Sequence, residues 1–192
     1  LTLPNTDGDA DQVLKTDGSG NLDWVAQGSS TQLESNRNKI INGNFDVWQR
    51  GTSTSSSGYG ADRWRSFYTG GTTTVFSQQS FALGQTDVPD NPEFYARLVV
   101  TSDSTSDSRA SFNQKIEDVR TFAGQTVTVS FWAKANATKD LAIELLQYFG
   151  TGGSPSSYVT ATPQKFSISS TWTQYTKTFS VPSISGKNFR NR

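Results

Sequence analysis

The sequence predicts an all-β protein, a two-sheet sandwich preceded by a small hairpin module. Three observations lead there. Apolar residues make up only 33% of the 192 residues while aromatics reach 12%, a balance that suits short strands and polar loops better than helices. Turn signals recur along the chain, among them Asn42-Gly43-Asn44, Gly58-Tyr59-Gly60, Gly70-Gly71, Pro89 to Pro92 and Gly150 to Gly153. Between the turns, apolar and polar residues alternate with the period of two that marks a half-buried strand.

The elements follow in chain order. In residues 1–27, Leu1-Thr2-Leu3 is a short extended piece ended by Pro4. Val13 to Thr16 and Leu22 to Val25 are strand-like runs, and Asp17-Gly18-Ser19-Gly20-Asn21 between them favours a tight turn. Two short strands are marginal alone in water. The unit offers only Leu3, Val13, Leu14, Leu22, Trp24 and Val25 as core, so it needs company. Residues 28–37 are a polar linker, with a helical turn at 31–35 as its only local structure. From 38 to 192 the chain reads as one β domain. Phe94 to Val100, Ala110 to Ile116, Thr126 to Lys134 and Gln174 to Val181 alternate clearly. Leu141 to Phe149 fits helix or strand by pattern; its flanks favour strand. The serine-rich stretches 52–57 and 102–108 read as surface loops.

Composition also excludes functions. The chain has no Cys and no His, which removes disulfides, thiolate metal sites, the usual zinc ligands and the commonest general base. Seventeen basic and seventeen acidic residues give zero formal charge, so nothing draws the chain to nucleic acid. No apolar run approaches the ~18 residues of a membrane span, and no signal peptide is apparent. A chain that begins with Leu and holds no Met is expected to be a piece of a longer polypeptide.

Few motifs carry chemistry. Asp7-Gly8-Asp9-Ala10-Asp11 begins like a calcium loop, but Gln12 stands where Gly is required and Gly18 where the bidentate Glu belongs. These aspartates read as turn formers. The glycines at 150–153 are followed by Ser154-Pro155, which spoils a phosphate-binding helix start. Asn136-Ala137-Thr138 matches a glycosylation sequon. No pair of carboxylates stands in a setting that suggests a glycosidase, and the chain is expected not to be an enzyme.

Three stretches together resemble bacteriophage tail-fibre proteins. The first is LPNTDGDADQVLKTDGSGNLDWV, residues 3–25, which is similar to a short module preceding receptor-binding domains. The second is NKIINGNFDVWQRGTS followed by GADRW, residues 38–64. The third runs from GQTVTVSFWAKA through QYFGTGGSPSSYV to STWTQYTKTFSVPSISGK. The last two resemble a carbohydrate-binding-module jelly roll of the galactose-binding-like class. The resemblance implies a β-sandwich jelly roll preceded by a small trimerising β-hairpin module. It places the protein on the virion, in a homotrimeric tail fibre. The implied partners are other phage tail or virion proteins and host-surface polysaccharide or lipopolysaccharide, with no nucleic acid and no membrane insertion. In the trimer, Val13, Leu22 and Trp24 would meet about the axis.

No cofactor is implied. Related modules often hold a structural Ca²⁺, but no motif here supports one. After Lys187 the resemblance implies a further strand with an acidic, apolar pattern. The chain reads NFRNR instead, and the expectation is a sandwich that lacks its last strand or a chain truncated there.

The site expectations combine both sources. Arg50 is expected to pair with Asp62 and pin the Ser/Gly-rich loop between them, with Trp48 and Trp64 packed beneath. Trp132 lies opposite the Val127, Val129, Phe131 face. The non-core faces also carry Arg97, Asn113, Glu144 and Tyr148, and the five together are the candidate glycan surface. Aromatic rings stack on the C–H faces of sugars, and planar polar groups match their hydroxyls. The functions weighed are glycan adhesion by a tail fibre, a purely architectural role as spacer, capsid decoration or fibre-docking module, and a non-catalytic accessory module of a tailspike depolymerase.

Overall fold

A computed structural model of the chain describes residues 2–10, 12–26, 38–101 and 107–189. The expected linker at 28–37 and its helical turn lie outside these residues, as do Asp11, most of the serine-rich loop at 102–108 and the tail 190–192. The described residues form fourteen strands; no helix among them is long and apolar enough to cross a membrane. The chain divides into two compact units, Leu1–Lys39 and Ile40–Arg192.

The first unit is a hairpin of β1 (Gln12–Thr16) and β2 (Leu22–Ala26), paired antiparallel. Its turn is organised by Asp17, whose carboxylate accepts from Ser19 N at 2.7 Å, Asn21 N at 3.2 Å and Asn21 Nδ2 at 2.8 Å. Thr2 adds a parallel bridge beside Asn21. The Trp24 indole donates to Thr6 O at 2.8 Å, and its ring lies so close to Gly8 that a Cβ there would sit 2.6 Å from Cδ2. Only glycine allows that approach. The register sets Val13 opposite Val25, Leu14 opposite Trp24 and Thr16 opposite Leu22. Directly opposed residues share a face. Val13 therefore points to the side away from Leu22 and Trp24, so the three expected core residues do not share one face of the hairpin; Leu14 is the residue that shares the face of Leu22 and Trp24.

The donors around Asp17, first the Asn21 side chain and then the Ser19 and Asn21 amides, hold its carboxyl below the usual carboxylate range. A lowered folded-state value stabilises the turn fully above the ordinary Asp range near ~3.9, and that contribution is lost as pH falls through the folded value. The protection factors of the β1 and β2 amides, corrected for the intrinsic exchange rate at each pH, are expected to fall as the solution is acidified from roughly pH 5 to 2. Asp17→Asn is expected to flatten that dependence. An unaltered profile in the variant would show that the turn owes nothing to the carboxylate.

The second unit begins with β3 (Ser53–Thr54), β4 (Gly58–Tyr59), β5 (Trp64–Thr69), β6 (Thr73–Ser80), β7 (Phe94–Thr101) and β8 (Arg109–Gln114). They form two three-stranded sheets, ordered β3-β6-β7 and β4-β5-β8. It continues with β9 (Thr126–Ala133), β10 (Lys139–Ile143), β11 (Leu146–Gln147), β12 (Val159–Thr160), β13 (Gln164–Ile168) and β14 (Thr173–Ser180). These pair antiparallel as β9 with β14, β10 with β13 and β11 with β12. The expected strand at 141–149 is broken at Glu144 and Leu145, because its two halves pair with different partners.

Aromatic rings supply much of the core and link its sheets. Phe76 is fully buried, between Trp48 at 5.2 Å and Phe112 at 5.7 Å. Phe112 in turn meets Trp64 at 5.4 Å, so the rings join the two three-stranded sheets. Phe131, Phe166 and Tyr175 make a second cluster, with Phe131 and Phe166 5.3 Å apart, between β9–β14 and β10–β13. Phe81, Tyr95 and Trp172 make a third, within 4.8–5.2 Å of one another. The result is an all-β unit of small sheets packed through their rings, the construction of a β-sandwich.

Candidate functional site

Around β11 the chain alternates sharply. Leu146 and Tyr148 are exposed, Tyr148 by 55%, while Gln147 and Phe149 are 6% and 3% exposed. Gln147 Nε2 donates to Pro182 O at 3.0 Å, and the Phe149 ring packs on Phe189 at 5.6 Å. Two buried anchors thus hold Tyr148 outward. The return strand does the same for Tyr158, which is 64% exposed and directly precedes β12. Each tyrosine adjoins a member of the opposed couple Gln147↔Val159, so both rings leave the same end of the ribbon. The connecting loop is tied down at Ser156, whose N donates to Asn188 O at 3.0 Å while Asn188 N donates to Ser156 Oγ at 3.0 Å. Leu145 O accepts from Ala161 N at 2.9 Å at the base.

The backbone beneath the two exposed phenol rings is therefore held in place, with Thr151, Ser154, Ser156 and Ser157 in the loop between them, while Glu144 lies at the other end of β11, at the base of the ribbon. Ring faces suit the C–H face of a sugar, and hydroxyls suit its OH groups. Holding that backbone in place before binding lowers the ordering cost. Tyr158 was missed in the sequence, although it mirrors Tyr148 across a loop of Gly, Ser and Pro, which was its available signal.

The five expected glycan residues do not gather on one surface. Tyr148 and Glu144 share the β10–β11 segment. Trp132 lies half-buried on β9 opposite Gln174, on a face lined by Thr128, Ser130, Thr176 and Thr178. Arg97 is on β7, opposite Ser77. Asn113 is on β8, opposite Arg65. A cleft of about 400 Å³ is lined by Ser80–Leu83 and Asn91–Glu93 and holds none of the expected residues. Among the described residues no group of three or more His, Cys, Asp or Glu gathers to hold a metal ion.

Arg50 and Asp62 do approach, at 4.0 Å, with Arg50 largely in solvent. An exposed pair at that distance contributes little, about 0–1 kcal/mol. Asp62 Oδ1 also accepts from Gln49 N at 3.2 Å. Trp48 and Trp64 pack on Phe76 and Phe112, and their indoles donate to Phe45 O and Asn42 O. The hub of this corner is Asn42, which the sequence reading passed over as a turn residue. Its Nδ2 donates to Val47 O at 2.9 Å and Asp62 O at 3.1 Å, and its Oδ1 accepts from Val47 N at 3.1 Å. Its φ of 54° is one that Asn tolerates better than most residues. Asn42→Ala is expected to cost roughly 2–3 kcal/mol at about 1 kcal/mol per hydrogen bond, and Asp62→Ala under half of that. Thermal denaturation of both variants measures the difference; the reverse order would return the pinning role to Arg50 and Asp62.

An all-β unit that turns two tyrosine rings and a hydroxyl-bearing loop to solvent presents a surface whose chemistry suits a flat, hydroxyl-rich ligand. Residues 37–190 match the carbohydrate binding domain family, and the chain belongs to that family. No curated protein and no solved structure matches it.

Proposed function

We propose that the chain is a segment of a bacteriophage tail fibre that holds host-surface polysaccharide or lipopolysaccharide without transforming it. Glycan recognition rests on the family match across 37–190; the observation that supports a site near β11 and β12 is the outward pair Tyr148 and Tyr158. The fibre reading is supported by the resemblance of residues 3–25 to fibre modules and by the hairpin's apolar exposure, since Leu3, Val13 and Leu14 are all exposed. In this reading the second unit is a jelly roll displayed on the virion. Three hairpins cover Leu14, Leu22 and the free edge of Trp24 about a common axis. Each sugar contact is weak, and three copies per fibre multiply the effective affinity.

The test is a glycan array with the wild-type chain against Tyr148→Ala/Tyr158→Ala, together with its mass by sedimentation. A glycan signal lost in the variant, and a mass of three 21.0 kDa chains, support the proposal. Wild-type silence across the array favours the architectural role. A monomer throughout the accessible concentration range removes the trimeric fibre.

A further inference from the structure

We propose that the outward face of the β4-β5-β8 sheet binds an acidic polysaccharide, one bearing carboxylate or phosphate groups along its length. This goes beyond the tyrosine site and rests on the carbohydrate reading of the chain. The register sets Tyr59 opposite Arg65, Arg65 opposite Asn113, Phe67 opposite Ser111 and Thr69 opposite Arg109. These seven residues share one face; the other carries Trp64, Ser66 and Phe112, with Ser66 fully buried.

Cations and rings interleave across this face. The Arg50 guanidinium lies 5.6 Å above the Tyr59 ring, and that of Arg65 lies 5.8 Å above Phe67. Among the described residues neither Arg65 nor Arg109 has an acidic partner; the ion pairs use Arg50, Arg63, Arg120 and Lys165. None of the seven positions is Asp or Glu. In a chain of zero formal charge, two guanidinium groups with no ion-pair partner among the described residues, on a face whose seven strand positions carry no carboxylate, are a local excess of positive charge.

The chemistry of the match is specific. A guanidinium presents a planar fork that suits carboxylate or phosphate oxygens, and a ring beneath it limits its orientations. Ser111 and Asn113 add donors and acceptors for hydroxyls. Arg109 lies four residues along β8 from Asn113, the partner of Arg65. At ~3.4 Å per residue the two backbones are roughly 14 Å apart along the strand. That is further than one sugar ring reaches, so the occupant is a polymer with recurring charge. The balanced charge of the rest of the chain disfavours nucleic acid.

The test titrates the whole protein with polygalacturonate, its neutral methyl ester, a phosphodiester-linked polysaccharide and a single-stranded oligonucleotide, at low and high salt. The variant is Arg65→Gln/Arg109→Gln, with its melting checked against wild type. The proposal expects an acidic polymer to bind about tenfold more tightly than the neutral ester, a preference lost in the variant and weakened by salt. The carboxylate and phosphate arms identify which anion is preferred. Equal affinity for charged and neutral polymers, an unchanged preference in the variant, or no binding of either acidic polymer overturns it. Oligonucleotide binding as tight as the acidic polysaccharide also overturns it, because the face would then be a general polyanion surface. A melting loss in the variant is resolved by Arg65→Lys/Arg109→Lys, which keeps charge and is expected to restore binding in part; a refolded pair with no preference overturns the proposal. Failure of the tyrosine variant to affect the glycan array strikes the tyrosine site instead, so the two outcomes are separable.

Discussion

Phe76→Ala is expected to destabilise the larger unit by about 3–5 kcal/mol, the range for removing a buried aromatic ring. Phe76 is 0% exposed and touches rings from two directions, Trp48 and Phe112. Gly60 closes a third side: a Cβ there would lie 2.5 Å from Phe76 Cδ1. The site cannot collapse cheaply, since its walls belong to paired strands and to the corner around Asn42. At roughly 2–4 °C per kcal/mol for a unit of this size, the melting temperature should fall by about 10 °C. Leu83→Ala is the control. Leu83 is fully exposed, and its truncation should stay within about 0.5 kcal/mol. A loss below about 1 kcal/mol at Phe76 would mean that the ring cluster is not what joins the sheets.

Removing both exposed tyrosines should weaken glycan binding by roughly 5- to 150-fold, taking about 0.5–1.5 kcal/mol for each ring contact. Stability should change little, because both rings stand in solvent and the anchors beneath them, Gln147 and Phe149, are untouched. Tyr148→Phe should retain most of the binding, since the ring face rather than the hydroxyl makes the stacking contact. Calorimetric titration on a glycan found by array, with melting curves of each variant, separates the cases. Binding that survives the double alanine variant with its fold intact would move the site elsewhere, with Trp132 and its face of Thr128, Ser130, Thr176 and Thr178 the next surface to alter. In an assembly of three copies the apparent loss would exceed the single-site loss, because each weakened contact also lowers the effective concentration of the next.

The strands that sequence reading located best are those with one apolar face. Thr126–Ala133 and Thr173–Ser180 pair along their whole length, and Val127, Val129 and Phe131 fall on the side opposite Trp132. Trp64–Thr69 was harder to read, for a physical reason. Its inward face carries Ser66, buried because its hydroxyl donates to Ser56 O at 3.1 Å and Gly58 O at 3.3 Å, while Phe67 faces out beneath Arg65. Polarity and burial run against each other there. The hairpin at 12–26 was legible from its turn, yet which of Val13 and Leu14 shares a face with Trp24 depends on register, and a one-residue shift reverses every side chain.

A resemblance, not local pattern, pointed to carbohydrate binding; by itself the sequence determined an all-β chain, the hairpin with its Asp17 turn, and a β domain from residue 38 onward. These follow from local chemistry: turn residues, alternation and the absence of His and Cys. Only the tertiary structure decided which surface residues stand together. It separated Trp132, Arg97 and Asn113 onto different sheets, joined Tyr148 to Tyr158 across a loop, and made Asn42 rather than Arg50 the hub of its corner. Grouping of this kind depends on strand pairing between residues far apart in the chain, and no local pattern encodes which strands will meet.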